Sequence, residues 1–335
     1  MKKQFFSLVV AIVSATTTYA QTSQVATLKI NGETTEYYGA DALVNAVNAA
    51  AGKEGAVITL SSGTFNFASY WNHNGLSIRG AGVTYDAGTQ KEPTTIIGHF
   101  GVSDSQSLKG LIFEGLNFSG KMEGYTTTIS PRFIKCNINE IYFNGTNSFK
   151  DATFIHCKIG KISGNLDNSS MTFINSIIGY IDHLKNCEFT NSIIRASRYW
   201  NFSGCTLKNC VLINTTNESS DMYISEASTY NCVSLNPDNR DCFNNIDNST
   251  NWNVESEDGS DFFVTYRYGD AFSNEETFEL TDEAKSTYLG DDGTQVGIYG
   301  GTMPYDPTPT NPQITKFDVN ANSSNGKLAV TLDVE

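Results

Sequence analysis

Apolar and polar positions in the middle of the chain follow a recurring phrase. It reads Phe133-Ile-Lys-Cys136-Asn-Ile138, then Phe154-Ile-His-Cys157-Lys-Ile159 and Phe173-Ile-Asn-Ser176-Ile-Ile178. It continues as Phe189-Thr-Asn-Ser192-Ile-Ile194 and Leu207-Lys-Asn-Cys210-Val-Leu212, with looser copies at Phe113–Phe118 and Tyr230–Cys232. The fourth positions, 116, 136, 157, 176, 192, 210 and 232, are separated by 20, 21, 19, 16, 18 and 22 residues. A near-constant period of this length is the mark of a solenoid, in which each unit buries its apolar side only against its neighbours. The phrases are too short, and too rich in β-branched and aromatic residues, for helix pairs. Asparagine often precedes the fourth position (Asn175, Asn191, Asn209, Asn231), and it tolerates the left-handed backbone region better than other non-glycine residues. Each phrase therefore parses as strand, bend, strand. Phe points in, the third residue turns the corner, and Cys and Ile point in again. Ile134, Ile155 and Ile174 then point outward, which makes an apolar stripe or places the bend one residue off. A β-sandwich of short strands would not need the same phrase at a fixed spacing.

The flanks fit a stack of about nine or ten parallel coils. Asp41 to Ala50 has apolar residues at i, i+3, i+4 and i+7, with Asp41 placed to cap its start and Gly52 its end, so it predicts a short helix over the first open edge. Ala56–Leu60, Gly63–Phe65 and Leu76–Gly82 follow as strand-and-turn units. From Asn251 the repeat loosens into what reads as a long terminal coil with inserted loops. Pro304, Pro307, Pro309 and Pro312 predict a stiff connector, and the alternating tail from Gln313 predicts strands that lie back along the coil or serve export or anchoring. The resulting division is a leader at 1–20, a parallel β-helix at 21–303, and a connector with a strand tail at 304–335.

The first twenty residues have a basic start, an apolar run from Phe5 to Val13, and small residues up to Ala20, the pattern of a secretory signal peptide. No apolar run reaches the length of a transmembrane helix. The chain carries a net charge of -14, and loss of Lys2 and Lys3 with the leader would take it to -16. That balance disfavours nucleic acid and anionic membranes. Six of the seven cysteines fall in the phrase or its overlapping copies, with no CxxC pair, so they read as buried thiols acting as small hydrophobes. Neighbouring rungs lie close enough for a disulfide to stay open as an alternative.

The helix followed by "AVITLSSGTFNF" and "LSIRGAG" resembles the N-terminal cap and first coils of the pectate-lyase-like right-handed parallel β-helix superfamily. The stretch "LTDEAKSTYLGDDGTQVGIYGG", Leu280 to Gly301, is similar to the closing segment of secreted Bacteroidetes β-helix-repeat proteins, where it finishes the last coil. The resemblance implies an all-β, right-handed single-stranded parallel β-helix. Its activities range over lyases, hydrolases, adhesins and proteins of unassigned role.

Lyases of that superfamily place calcium-binding carboxylates and a proton-abstracting Arg or Lys on one outer face. Six residues past the fourth position fall Tyr142, Ser163, Asp182, Arg198 and Thr216, with His183 and Arg195 beside them. "YIDH" (Tyr180 to His183) is similar to the W-I-D-H stretch of pectate lyases, but R-x-P-x-x-R is absent. Asp182, His183, Arg195 and Arg198 are therefore candidate catalytic residues, set against a plain surface ion pair. The carboxylate runs of polygalacturonase-like hydrolases are missing as a set, and hydrolysis needs two or three close carboxylates. Glu255, Glu257, Asp258 and Asp261 could supply oxygens to calcium, although the spacing is not that of an EF-hand and a solvated acidic loop explains it as well. Trp71, Tyr199, Trp200 and Trp252 sit in turn-like stretches where a ring could stack on sugar. No other cofactor is suggested. The expectation is non-catalytic binding of polysaccharide or a surface partner through a lateral sheet face and its loops, the alternative being a polysaccharide lyase or glycoside hydrolase acting on acidic plant or host glycans.

Overall fold

The structure is a computed structural model. It describes residues 24–310 except 68, 72, 86–90, 99, 103–107, 125–127, 144–148, 165–169, 182–183, 197–201, 215–223, 225, 238–241, 244–249, 269, 271 and 273–275, together with the strands Ile314–Val319 and Val330–Val334. The leader at 1–20 lies outside the described residues.

The chain winds into an all-β parallel solenoid. Each phrase contributes one short strand to a first sheet and the next strand to a second. Parallel strands of the first sheet run from Val57–Leu60 to Ser228–Tyr230, and those of the second from Gly63–Asn66 to Trp252–Glu255. The solenoid makes about seven turns, fewer than the nine or ten expected. The remaining strands come from the less regular units at the two ends.

Register places like over like. Phe113, Phe133, Phe154, Phe173 and Phe189 are in-register partners, followed by Leu207 and Thr229. The five rings stack at centroid spacings of 5.1, 4.9, 4.9 and 4.7 Å, close to the rise between strands. The fourth-position residues form a second interior column, and the cysteines are all buried free thiols. Cys157 Sγ lies 3.3 Å from Phe133 O and 3.4 Å from Ile155 O. Ser176 Oγ, one rung on, reaches the equivalent carbonyls of Phe154 and Ile174 at 3.3 and 2.9 Å. Cys and Ser therefore share this column because each satisfies the same backbone acceptors.

Between the sheets, the third residue of each phrase is left-handed. Gly115, Lys135, His156, Asn175, Asn191, Asn209 and Asn231 all have φ between 43° and 62°. Their amides donate up the stack, as in Lys135 N to Ile155 O (2.8 Å), His156 N to Ile174 O (3.0 Å) and Asn175 N to Thr190 O (3.0 Å). The bend sits where the sequence placed it, and Ile134, Ile155 and Ile174 form a half-buried outer stripe.

The N-terminal end is closed by two devices. A hairpin of Val25–Ile30 and Glu33–Tyr38 pairs antiparallel with Val57–Leu60 and so occupies the first sheet's edge. The helix Ala42–Ala49 buries Ala42, Leu43, Ala46 and Val47 in the core at that end. Asp41 precedes the helix without a side-chain cap bond; its carboxylate instead accepts from Asn66 Nδ2 at 3.3 Å.

The C-terminal segment departs from the expected closing coil. After the last strand of the second sheet, the described residues of 256–310 turn back along the outside as a strap, with a short helix at Asp282–Thr287. Outward residues of the second sheet explain why. Ile177, Ile193, Val211, Ile213, Val233 and Leu235 are apolar and buried, and with Phe262, Phe263, Tyr266, Phe278, Leu280 and Val296 they make a second core. The strap then lies along the left-handed corner, where the third-position side chains hold it. Asn209 Nδ2 donates to Asp291 Oδ1 (3.1 Å) and Asn175 Nδ2 to Ile298 O (2.8 Å) and Gly300 O (2.9 Å). Further back, His156 Nε2 meets Met303 O at 3.0 Å, and Lys135 Nζ donates to Asp306 Oδ2 (2.8 Å) and Thr308 O (2.6 Å). Thr310 Oγ1 donates to Glu114 Oε1, and Pro309 packs over Gly115. The proline-rich stretch up to 310 is thus laid into the corner, and Ile314–Val319 and Val330–Val334 pair as an antiparallel hairpin. Among the described residues, no helix is long and apolar enough to cross a membrane.

Candidate ligand-binding face

Among the described residues, the strap covers only part of the second sheet's outer face. On the strands Asn117–Gly124, Asn137–Phe143 and Lys158–Gly164, the outward positions are polar. Asn117, Asn137 and Lys158 occupy the same column that becomes Ile177, Ile193, Val211 and Val233 under the strap. Lys158 marks the border, its Nζ donating to Glu276 O at 2.6 Å.

Two features occupy the bare part. One is a cleft of about 320 Å³ lined by Asn117, Ser119, Asn139, Gly160 and Phe272, with Phe118 and Ile138 at its base. Phe272 is the strap's contribution. It seats over Gly179, where a Cβ would come within 3.0 Å of its ring. The other is a ladder of charge and aromatic rings. Lys121 Nζ lies 2.6 Å from Glu123 Oε1 and 3.7 Å from the centre of the Tyr142 ring. Lys161 Nζ is 3.8 Å from Glu140 Oε1 and 5.5 Å from the Tyr180 ring, and Ser163 Oγ donates to Glu140 at 3.1 Å. The bond to Glu123 holds the Lys121 ammonium above its usual pKa, so this amine stays protonated.

The sequence-derived candidates are distributed differently. Tyr142 and Ser163 are in-register neighbours on this face. Asp182, His183, Arg198, Tyr199 and Trp200 lie outside the described residues. Arg195 is under the strap: its Nη2 donates to Asp270 O (3.1 Å), and its guanidinium sits 5.3 Å from the Tyr266 ring and 5.9 Å from Phe272. Burial, only partly offset by Arg195, pushes the Tyr266 hydroxyl up to about 12. Trp252 is half-buried with its ring edge-on to Tyr288, an anchor for the strap's first turn. The backbone of Trp71 pairs with Val102 in a strand beside this face.

Glu255, Glu257, Asp258 and Asp261 are all exposed. Asp258 Oδ1 accepts from Ser260 N (2.8 Å), which closes a turn, and hydrogen bonding from the Ser260 side chain and then from its backbone lowers the Asp258 pKa. Among the described residues, no three His, Cys, Asp or Glu side chains are grouped so as to hold a metal ion. The acidic loop therefore has the geometry of a turn.

Lys121, Glu123, Glu140, Lys161 and Phe272 were not found from the sequence. Counting four residues past the fourth position would have reached Glu140, Lys161 and Tyr180. It misses Lys121 because a bulge between Phe118 and Lys121 adds a residue. No family model, curated protein or solved structure matches this chain.

Proposed function

We propose that this chain is an exported, non-catalytic parallel β-helix protein, related to the pectate-lyase-like proteins its cap resembles and to the secreted Bacteroidetes proteins its closing motif resembles, and that it binds polysaccharide through the bare part of its second sheet. The observation that carries this reading is the contrast along the second sheet's outer face: apolar side chains under the strap, and beside it the exposed amide of Asn139, the Ser119 hydroxyl, Tyr142 and the Lys121–Glu123 and Lys161–Glu140 pairs. A polar face repeated at the strand spacing of about 4.8 Å is a rigid grid for sugar hydroxyls.

The chemistry of the face favours binding over turnover. Proton abstraction wants a basic group with a lowered pKa, and Lys121 is shifted the other way. Glu123 and Glu140 are each engaged by a lysine. The reading calls for no cofactor.

The test is a panel of neutral glucans, mannans and xylans, pectin, alginate and host-type glycans, followed by calorimetry and by product analysis. At least one glycan should be retained with no unsaturated uronide and no new reducing end. Tyr142→Ala should weaken that binding roughly tenfold, the worth of one aromatic contact. Sustained turnover, or no retention on any member of the panel, overturns the proposal.

A further inference from the structure

We infer that the cleft beside Phe272 is a subsite for one uncharged pyranose unit of a neutral polysaccharide. The inference rests on the binding role proposed above and narrows its ligand. At about 320 Å³ the cleft is at the small end of ligand pockets, room for a ring-sized group and little more. None of the described residues that line it is ionisable. A uronate carboxylate would need a cation to replace its water. Of the lysines on the same strands, Lys121 and Lys161 already face Glu123 and Glu140, and Lys158 is buried with its Nζ turned to Glu276 O (2.6 Å); the chain as a whole is strongly acidic. A polyanion is repelled at long range and meets no cationic side chain in the cleft.

What the cleft does offer suits a sugar without charge. The Asn139 amide donates and accepts, as hydroxyls do; Asn117, with one N–H given to Thr95 Oγ1 (3.2 Å), and Ser119, with its O–H given to Ile96 O (3.2 Å), still present acceptor oxygens. Phe272 supplies an apolar wall for the C–H side of a ring. Two glycines make the space. A Cβ on Gly160 would lie 2.5 Å from Asn139 O, and one on Gly179 would press on Phe272 at 3.0 Å. The wall is braced from behind by the Arg195 guanidinium and the Phe278 ring. The strap therefore serves the site directly.

The experiment measures binding of hexaoses of glucose (α- and β-linked), mannose and xylose, against hexagalacturonate and hexamannuronate, by calorimetry on the full chain. The expected result is binding of at least one neutral hexaose and none of the uronates at equal concentration. Phe272→Ala should reduce that affinity at least tenfold, and Phe272→Tyr should retain it. Ser119 is exposed and gives one hydrogen bond to Ile96 O (3.2 Å), so Ser119→Trp fills the cleft without entering the core and should reduce affinity similarly with only a small drop in melting temperature. It decides the matter if Phe272→Ala loosens the strap. If both cleft variants bind as the parent does while Tyr142→Ala does not, the subsite is wrong and the face stands. Preference for a uronate overturns the subsite alone. Failure of the parent to bind any saccharide overturns both.

Discussion

The hold of the corner on the strap can be tested at Asn175, which is 1% exposed and does two separable jobs. Its backbone sits at φ +43°, and its Nδ2 donates at 2.8 and 2.9 Å to Ile298 O and Gly300 O. Asn175→Ala loses both bonds, at about 1 kcal/mol each or more if the carbonyls stay dry. It also forces a Cβ-bearing residue without asparagine's local tolerance into the left-handed region, at about 1–2 kcal/mol. The total is about 3–5 kcal/mol. Asn175→Gly loses the bonds but keeps the backbone, and after its extra unfolded-state entropy should be about 1 kcal/mol more stable than the Ala variant. Urea unfolding gives the two differences, and hydrogen exchange locates them. Because a solenoid's stability is a sum over neighbours, amides of 297–301 should exchange faster in both variants, while those of the distant hairpin at 25–38 should not. Equal stability of the Ala and Gly variants would refute the strain argument. Unchanged exchange at 297–301 would refute the clasp.

A pH dependence should appear at His156. Burial, the leading cause, lowers its pKa below the ordinary 6.5, and its buried Nδ1 has no hydrogen-bond partner among the described residues. The unfolded chain then takes up a proton that the folded chain refuses, so stability falls as pH drops below about 6.5 and levels off below the folded pKa. His156→Asn, which keeps the left-handed bend, should flatten that part of the profile; an unchanged slope between pH 7.5 and 5.5 would assign it to other groups. In the interior column, Cys157→Ser should cost under about 1 kcal/mol, because Ser176 already makes the equivalent bonds one rung away. A loss of 3 kcal/mol or more in thermal unfolding would show that sulfur packing, and not the shared acceptors, decides residue choice there.

The interior was legible because its constraints are local. A stacked Phe, a left-handed third residue and a small fourth residue each leave a mark at fixed spacing, and the phrase displays all of them. Lys135 and His156 occupy the same left-handed corner, so the corner is set by the phrase and not by asparagine alone. The outside was harder to read. Ile177, Ile193 and Val211 look like a continuation of the core run, and nothing local says that a segment roughly 55–120 residues later covers them. The switch from Asn137 and Lys158 to Ile177 at one phrase position was the available sign. The bare face was legible in part, at Tyr142 and Ser163; a one-residue bulge hid Lys121, while Glu140 and Lys161 stood at a regular offset that was not followed. Phe272 could not be placed, since it reaches the site only through the strap.

Repeat proteins usually gain and lose units freely, since each touches only its neighbours. Here the strap makes the number of rungs a measured quantity. Its anchors at Asn209, Asn175, His156, Lys135 and Glu114 are met in reverse order by 291, 298–300, 303, 306–308 and 310. Duplicating one coil between them would lengthen the seam by about 4.8 Å, and one or two extra residues of extended strap would have to appear at the matching place. Growth of this molecule by repeat duplication is therefore coupled to a second, distant insertion.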